Sequence, residues 1–185
     1  MSLILVFLGA ALAGGLHAGV PVTGVPGLGE PSFHGPAAGW SAGVSGGLVR
    51  VFVGHDEAEA SAWLNGSVPI SAEAPPAYAF ADEAWGDGVG LLAFRDGNVG
   101  VFVRVSSGAL ALAERLQASI VDDGSPWPAA PALTGQEGAW TLPVAQGQHV
   151  TFQGGRLARG AGWTFTALPY ELVVWDHTGR PAQVR

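Results

Sequence analysis

The chain has 185 residues, of which 48% are hydrophobic and only 12% charged, with 29 glycines and 13 prolines. That length suits one domain plus a short extra segment, or two very small domains, and so much glycine and proline excludes an architecture of long helices. Without cysteine there is no disulfide framework, thiolate metal site or cysteine nucleophile, and a net charge of −7 argues against nucleic acid as a partner, because phosphate binding needs clustered arginine or lysine. The charge is concentrated between Asp56 and Asp123, where 11 acidic residues stand against 3 arginines. All 8 basic residues are arginine, a bias that reads as coding bias in a GC-rich, bacterial genome.

Residues 1–18 read as a signal peptide. The apolar run from Leu3 to about Ala13 is too short to cross a bilayer, which takes about 20 residues, and has the length of a signal-peptide core. Ala11-Leu12-Ala13 and Leu16-His17-Ala18 both offer small-x-small cleavage patterns, and the later one leaves a better spacing. Against this stands an amino-terminal region without lysine or arginine. The expectation is an extracytoplasmic protein, periplasmic or secreted, with no stable membrane span once the signal is removed.

Residues 19–47 read as a Gly/Pro-rich lead-in, either extended and turn-rich or a meander of short strands. It contains Gly39-Trp40-Ser41-Ala42-Gly43, a G-x-S-x-G match. In hydrolases that use this motif the serine sits on a sharp strand-to-helix turn. Here the flanks, FHGPAA and VSGG, supply neither a preceding strand nor a following helix, so chance explains the match.

An α+β core follows over 48–124. Leu48 to Val53 reads as a strand. Asp56 is placed to cap a short helix, with Glu59 completing a capping box, Ala60, Trp63 and Leu64 as the apolar stripe, and Asn65-Gly66 as the stop. Asn65-Gly66-Ser67 also matches a glycosylation sequon, of little weight in a bacterial-type sequence.

Val89 to Val105 reads VGLLAFRDGNVGVFVRV, two β-rich runs around Asp96-Gly97. That dipeptide suits a type I′ turn, which pairs Arg95 with Asn98. Leu92, Phe94, Val99, Val101 and Val103 then share one face, and Leu91, Ala93 and Phe102 the other. Ser106 or Ser107 is placed to cap a second helix running to about Val121, with Ala109, Leu112, Ala113, Leu116 and Ile120 on its buried side. The two strand-helix stretches share VFV and suggest a degenerate repeat. The fold class expected is α+β: an antiparallel sheet centred on the 89–105 hairpin with two short helices on one face, followed by a C-terminal antiparallel β meander. That last part is a β-rich lobe over 125–185, with AWTLPV, HVTFQG, WTFTAL and LVVWD as strands, packed on the core.

Candidate chemistry is sparse. Asp82, Glu83 and Asp87 form an acidic loop conceivable as a calcium-like site, although the spacing matches no EF-hand and solvated carboxylates explain it as well. Two carboxylates near the hairpin also suggest an acid/base pair, as in sugar hydrolysis. No two histidines stand at the i, i+4 spacing of a helical zinc site. Asp176 and His177 supply two members of a triad with Ser41, and His149 is the other histidine available, yet a surface turn accounts for Asp176-His177 without catalysis. The 7 tryptophans read mainly as core, Trp163 beside Phe165 included. Trp85 and Trp127, set in Gly- or Pro-rich loops, are the better candidates for an exposed binding surface, with Asp87 beside Trp85. The reading is of an exported, non-enzymatic module that binds another protein or a surface polymer and needs no cofactor. The alternative is a small secreted hydrolase, serine- or carboxylate-based.

Overall fold

A computed structural model describes residues 19–21, 23–68, 81–122, 126–160 and 162–184. The signal-peptide reading of 1–18 lies outside the described residues. The fold is α+β, as the sequence leads one to expect. Six strands, β1 (Pro31–Phe33), β2 (Trp40–Val44), β3 (Gly47–Val53), β4 (Glu83–Gly86), β5 (Leu91–Asp96) and β6 (Val99–Val105), form one antiparallel sheet in the order β1-β2-β3-β6-β5-β4. The lead-in thus supplies two strands, and its Trp40 is fully buried in the main core.

The central hairpin forms with its turn one residue later than read from Asp96-Gly97. Asp96 pairs with Val99 and Phe94 with Val101, leaving Gly97-Asn98 as the loop. Gly97 has φ 55°, while Asn98 is not among the residues with positive φ, the pattern of a type II′ turn, which asks for glycine only at its first central position. Two bonds fix this choice: the Asp96 carboxylate accepts from Gln117 Nε2 at 2.8 Å, and Asn98 Nδ2 donates to Gly54 O at 2.8 Å. The partners shift by two residues, an even number, so every side chain keeps the face expected of it.

The helices α1 (Glu57–Ser67) and α2 (Ala109–Ala118) lie on opposite faces of the sheet, where the sequence reading has them on one. Leu112, Ala113 and Leu116 of α2 pack with Leu92, Phe94, Val101 and Val103. Leu64 of α1 packs with Ala93 and Phe102, and Trp63 lies so close to Gly100 that a Cβ there would come within 2.8 Å of the indole. An apolar hairpin needs cover on both sides, and one helix goes to each. The two strand-helix units are therefore not equivalent, which removes the case for a repeat.

Capping follows expectation at α1 only. Asp56 Oδ1 accepts from Glu59 N at 2.8 Å, Glu59 Oε2 accepts from His55 N at 2.8 Å, and the helix continues through Asn65-Gly66 to Ser67. At α2 the cap is Gly108, with no side-chain bond. The N–H groups of Ala109 and Leu110 donate instead to Val89 O and Gly88 O, so the loop before β5 satisfies the first turn.

The C-terminal lobe contains β7 (Thr134–Gln136), β8 (Ala139–Thr141), β9 (His149–Gln153), β10 (Arg156–Leu157), β11 (Thr164–Ala167), β12 (Glu171–Trp175) and β13 (Pro181–Gln183). They sort into two antiparallel sheets, β10-β11-β8-β7 and β13-β12-β9, around Leu142, Phe165, Leu172 and Val174, with Trp140 and Trp163 packed against that cluster. The lobe docks on the first sheet through Trp175, whose ring centroid is 4.8 Å from that of Phe33, and through Trp127, whose ring centroid lies 3.9 Å from that of His55 and whose Nε1 is held within the lobe by Pro181 O at 2.9 Å.

Candidate functional site

The loop 34–39 between β1 and β2 stands at the seam of the two lobes. It is closed by His34 N donating to Gly39 O at 2.9 Å and by Ala38 and Gly39 N–H groups donating to Gly35 O. Pro36 and Ala37 of this loop form one wall of a groove of about 430 Å³. The rest of its lining includes Phe52 and Val53 of β3, His55, Glu59 and Trp63 of α1 and its approach, and Trp127 and Pro181 of the C-terminal lobe. Phe52 and Trp63 stack with centroids 5.5 Å apart and planes within 10°, and the Arg50 guanidinium sits 5.6 Å from the Trp63 ring. His55 and Trp127 touch at 3.9 Å between centroids. These ring pairs brace the groove walls through packing. One carboxylate lines the groove, that of Glu59, whose Oε2 also accepts from His55 N at 2.8 Å.

Of the ligand-binding residues read from sequence, Trp127 lines this groove. Trp85 is half-buried on β4 and covers the Leu64, Ala93 and Phe102 cluster beneath α1, away from the groove lining. Asp87 is a loop staple: its Oδ1 accepts from the N–H groups of Val89, Gly90 and Leu91 at 2.8, 2.8 and 2.9 Å. Those three donors, Leu91 foremost, hold its carboxyl below the usual carboxylate range.

The acidic loop is organised by an arginine. Arg95, its side chain 9% exposed, meets Glu83 at 3.0 Å, Asp82 at 3.1 Å and Glu57 at 3.6 Å, and Asp82 also accepts from Gly97 N at 2.8 Å. Asp82 and Glu83 are thereby engaged by a cation of the protein's own, and Asp87 by backbone donors, which replaces the calcium-like reading with ion pairing and turn capping. Among the described residues no group of three or more His, Asp or Glu side chains is placed to hold a metal ion.

The Ser41, Asp176 and His177 set does not assemble as read. Asp176 is buried and its carboxylate is spent on its own turn, accepting from Thr178 N and Oγ1, Arg180 N and, at 2.6 Å, Arg180 Nε. His177 is exposed on that turn, and the ring of His149 lies 5.1 Å from that of Phe33. Ser41 instead hydrogen-bonds His34, Oγ to Nε2 at 2.7 Å, from the middle of β2 and with 6% of its surface exposed. His34 as partner escapes the sequence reading because FHGPAA does not look like a strand running into a turn. The signal was there in Gly35-Pro36 and Gly39, which bound a hairpin loop and bring residues 34 and 41 side by side.

No protein-family model matches the chain, and neither curated proteins nor solved structures give a match to it.

Proposed function

We propose that the protein is an exported, non-enzymatic binding module that receives an apolar side chain of a partner polypeptide in the groove between α1 and Trp127, with a basic residue of the partner beside Glu59. The observation that carries this is the groove itself: about 430 Å³, walled by Phe52, Trp63, His55 and Trp127, with the Glu59 carboxylate at its edge. Ligand sites are typically preformed, largely apolar clefts of roughly 300–1,000 Å³ with a few polar groups that orient the ligand. The Glu59 carboxylate favours a cationic flank by charge complementarity. The non-catalytic half of the reading draws on the structural engagement of Asp82, Glu83, Asp87 and Asp176, and on the burial of Ser41 within a strand. Export rests on the leader-like first 18 residues, and among the described residues no helix is long and apolar enough to cross a membrane.

The test is selection of a displayed peptide library on the full chain. The expected consensus is a large apolar residue next to arginine or lysine, with affinity falling at least tenfold for Ala62→Trp, which fills the groove from an exposed position on α1. No consensus, or equal binding by Ala62→Trp, overturns the reading. N-terminal sequencing of protein from the producing cell tests export, and a start at Met1 or Ser2 removes it. The Ser41–His34 hydrogen bond is the one observation favouring a serine hydrolase. Hydrolysis of p-nitrophenyl acetate that disappears in Ser41→Ala would establish that alternative.

A further inference from the structure

The same loop that walls the aromatic groove also borders a second cleft of about 430 Å³, of different chemistry. Its lining includes Phe33, His34 and Gly35 from the first lobe and Thr151, Gln153 and Glu171 from the second. Strand pairing explains the second wall. Thr151 faces Val173 and Gln153 faces Glu171 across β9 and β12, so these four share one side of that sheet. At the inner end this side is sealed, with Trp175 against Phe33 and its Nε1 donating to Thr151 Oγ1 at 3.0 Å. At the outer end Gln153 and Glu171 remain open to the cleft.

The polar groups here are held in place. Gln153 Nε2 donates to Glu171 Oε2 at 3.2 Å, and the Tyr170 hydroxyl donates to Gln153 Oε1 at 3.0 Å. Glu171 Oε1 faces the loop, 3.6 Å from where a Cβ on Gly35 would stand. Opposite, Ser41 engages His34 Nε2, which leaves Nδ1 as the ring's other polar atom. Beside them Tyr170 is 71% exposed, its ring lying across Gly154.

We infer that this cleft is a saccharide-binding site, in which His34, Gln153 and Glu171 hydrogen-bond sugar hydroxyls and the exposed ring of Tyr170 receives the C–H face of a pyranose. A sugar hydroxyl is both donor and acceptor, and neighbouring hydroxyls are matched by planar side chains that present donors and acceptors in a fixed geometry. An imidazole, an amide and a carboxylate supply that mixture. No arginine lines the cleft, so nothing there favours an anionic ligand, and its one carboxylate also answers to the Gln153 amide. Ser41 acts as a positioning residue that fixes the imidazole. This site is independent of the peptide groove and stands or falls without it.

The experiment applies the full chain to a glycan array and follows the best-retained oligosaccharide by titration with the wild type, Glu171→Ala, Tyr170→Ala and Ala62→Trp. The result expected is at least tenfold weaker binding for Glu171→Ala and for Tyr170→Ala, each with an unchanged unfolding midpoint, and undiminished binding by Ala62→Trp. Ser41→Ala is expected to weaken binding less than His34→Ala does. An array on which no glycan is retained overturns the assignment, as does a retained glycan that binds Glu171→Ala and Tyr170→Ala as tightly as wild type. Loss of the glycan in Ala62→Trp alone would move the site to the aromatic groove and equally overturn it.

Discussion

The two lobes are built on different terms. In the first, one continuous six-stranded sheet carries a helix on each face and buries a cluster that includes Trp40, Phe94, Leu92 and Leu116. In the second, two small sheets enclose a smaller buried cluster of Leu142, Phe165, Leu172 and Val174, with Val173, Trp175 and Ala182 buried outside that cluster, and β7 is exposed along its length. Apolar burial contributes about 25 cal/mol per Å², so a core of this size leaves the second lobe short of independent stability. What it lacks it takes from the seam: Trp175 on Phe33, Trp127 on His55, and the Asp176–Arg180 turn against the first lobe, with Gly179 beneath the Trp40 indole. The difference teaches why both clefts lie where they do. They occupy the margin along which a dependent lobe leans on a self-sufficient one.

The contrast is open to attack at both ends. Phe94→Ala removes a fully buried ring from the first lobe and is expected to cost about 3–5 kcal/mol. Leu172→Ala, also fully buried, is expected to cost about 2–5 kcal/mol. Their signatures differ. Under native-state hydrogen exchange Phe94→Ala should lower protection in β5, β6, β9 and β12 together, whereas Leu172→Ala should expose β9 and β12 while β3 and β6 stay protected. Equal losses in both lobes from Leu172→Ala would show a single cooperative unit instead.

Gly179→Ala acts on the seam itself. Its φ is 77° and a Cβ would stand 2.4 Å from Trp40 Nε1, so the substitution adds left-handed strain to a clash with a rigid ring. The expected cost is about 2–5 kcal/mol, combining about 1–2 for the backbone with about 1–3 for overpacking, and urea unfolding is expected to separate into two transitions. A single unshifted transition would mean that the seam carries little of the second lobe's stability.

The smallest effect belongs to Asp87. Its carboxyl titrates lower when folded than when unfolded, so its contribution is present above the unfolded value of about 3.9 and fades as the pH falls through the lower folded one. Amide protection at Val89, Gly90 and Leu91 should therefore persist through pH 4 and decline below it, and Asp87→Asn should flatten that decline. Loss of protection well above pH 4 would contradict the triple-acceptor role.

Legibility followed the physics. Period-two alternation assigned every hairpin residue to its correct face even though the turn moved by one position, because Asp96-Gly97-Asn98 contains two acceptable turn dipeptides and only contacts with Gln117 and Gly54 choose between them. Alternation that is apolar on both sides cannot say which helix covers which face, and the placement of α1 was lost for that reason. Composition left 19–47 open between an extended lead-in and a meander of short strands, because glycine and proline blur the bounds of β1 and β2 and give no sign of the buried Trp40. Trp63 was read correctly as part of a helical stripe, yet its second role as a groove wall depends on Trp127 arriving from 64 residues further along the chain. Sites made at a seam have no local spacing to betray them.

The loop 34–39 borders both clefts, Pro36 and Ala37 one and His34 and Gly35 the other. A lengthened or shortened loop would therefore redraw two openings in a single step. On the two proposed assignments, peptide and sugar preferences would be inherited together, and a natural variant altered in one deserves to be assayed for the other.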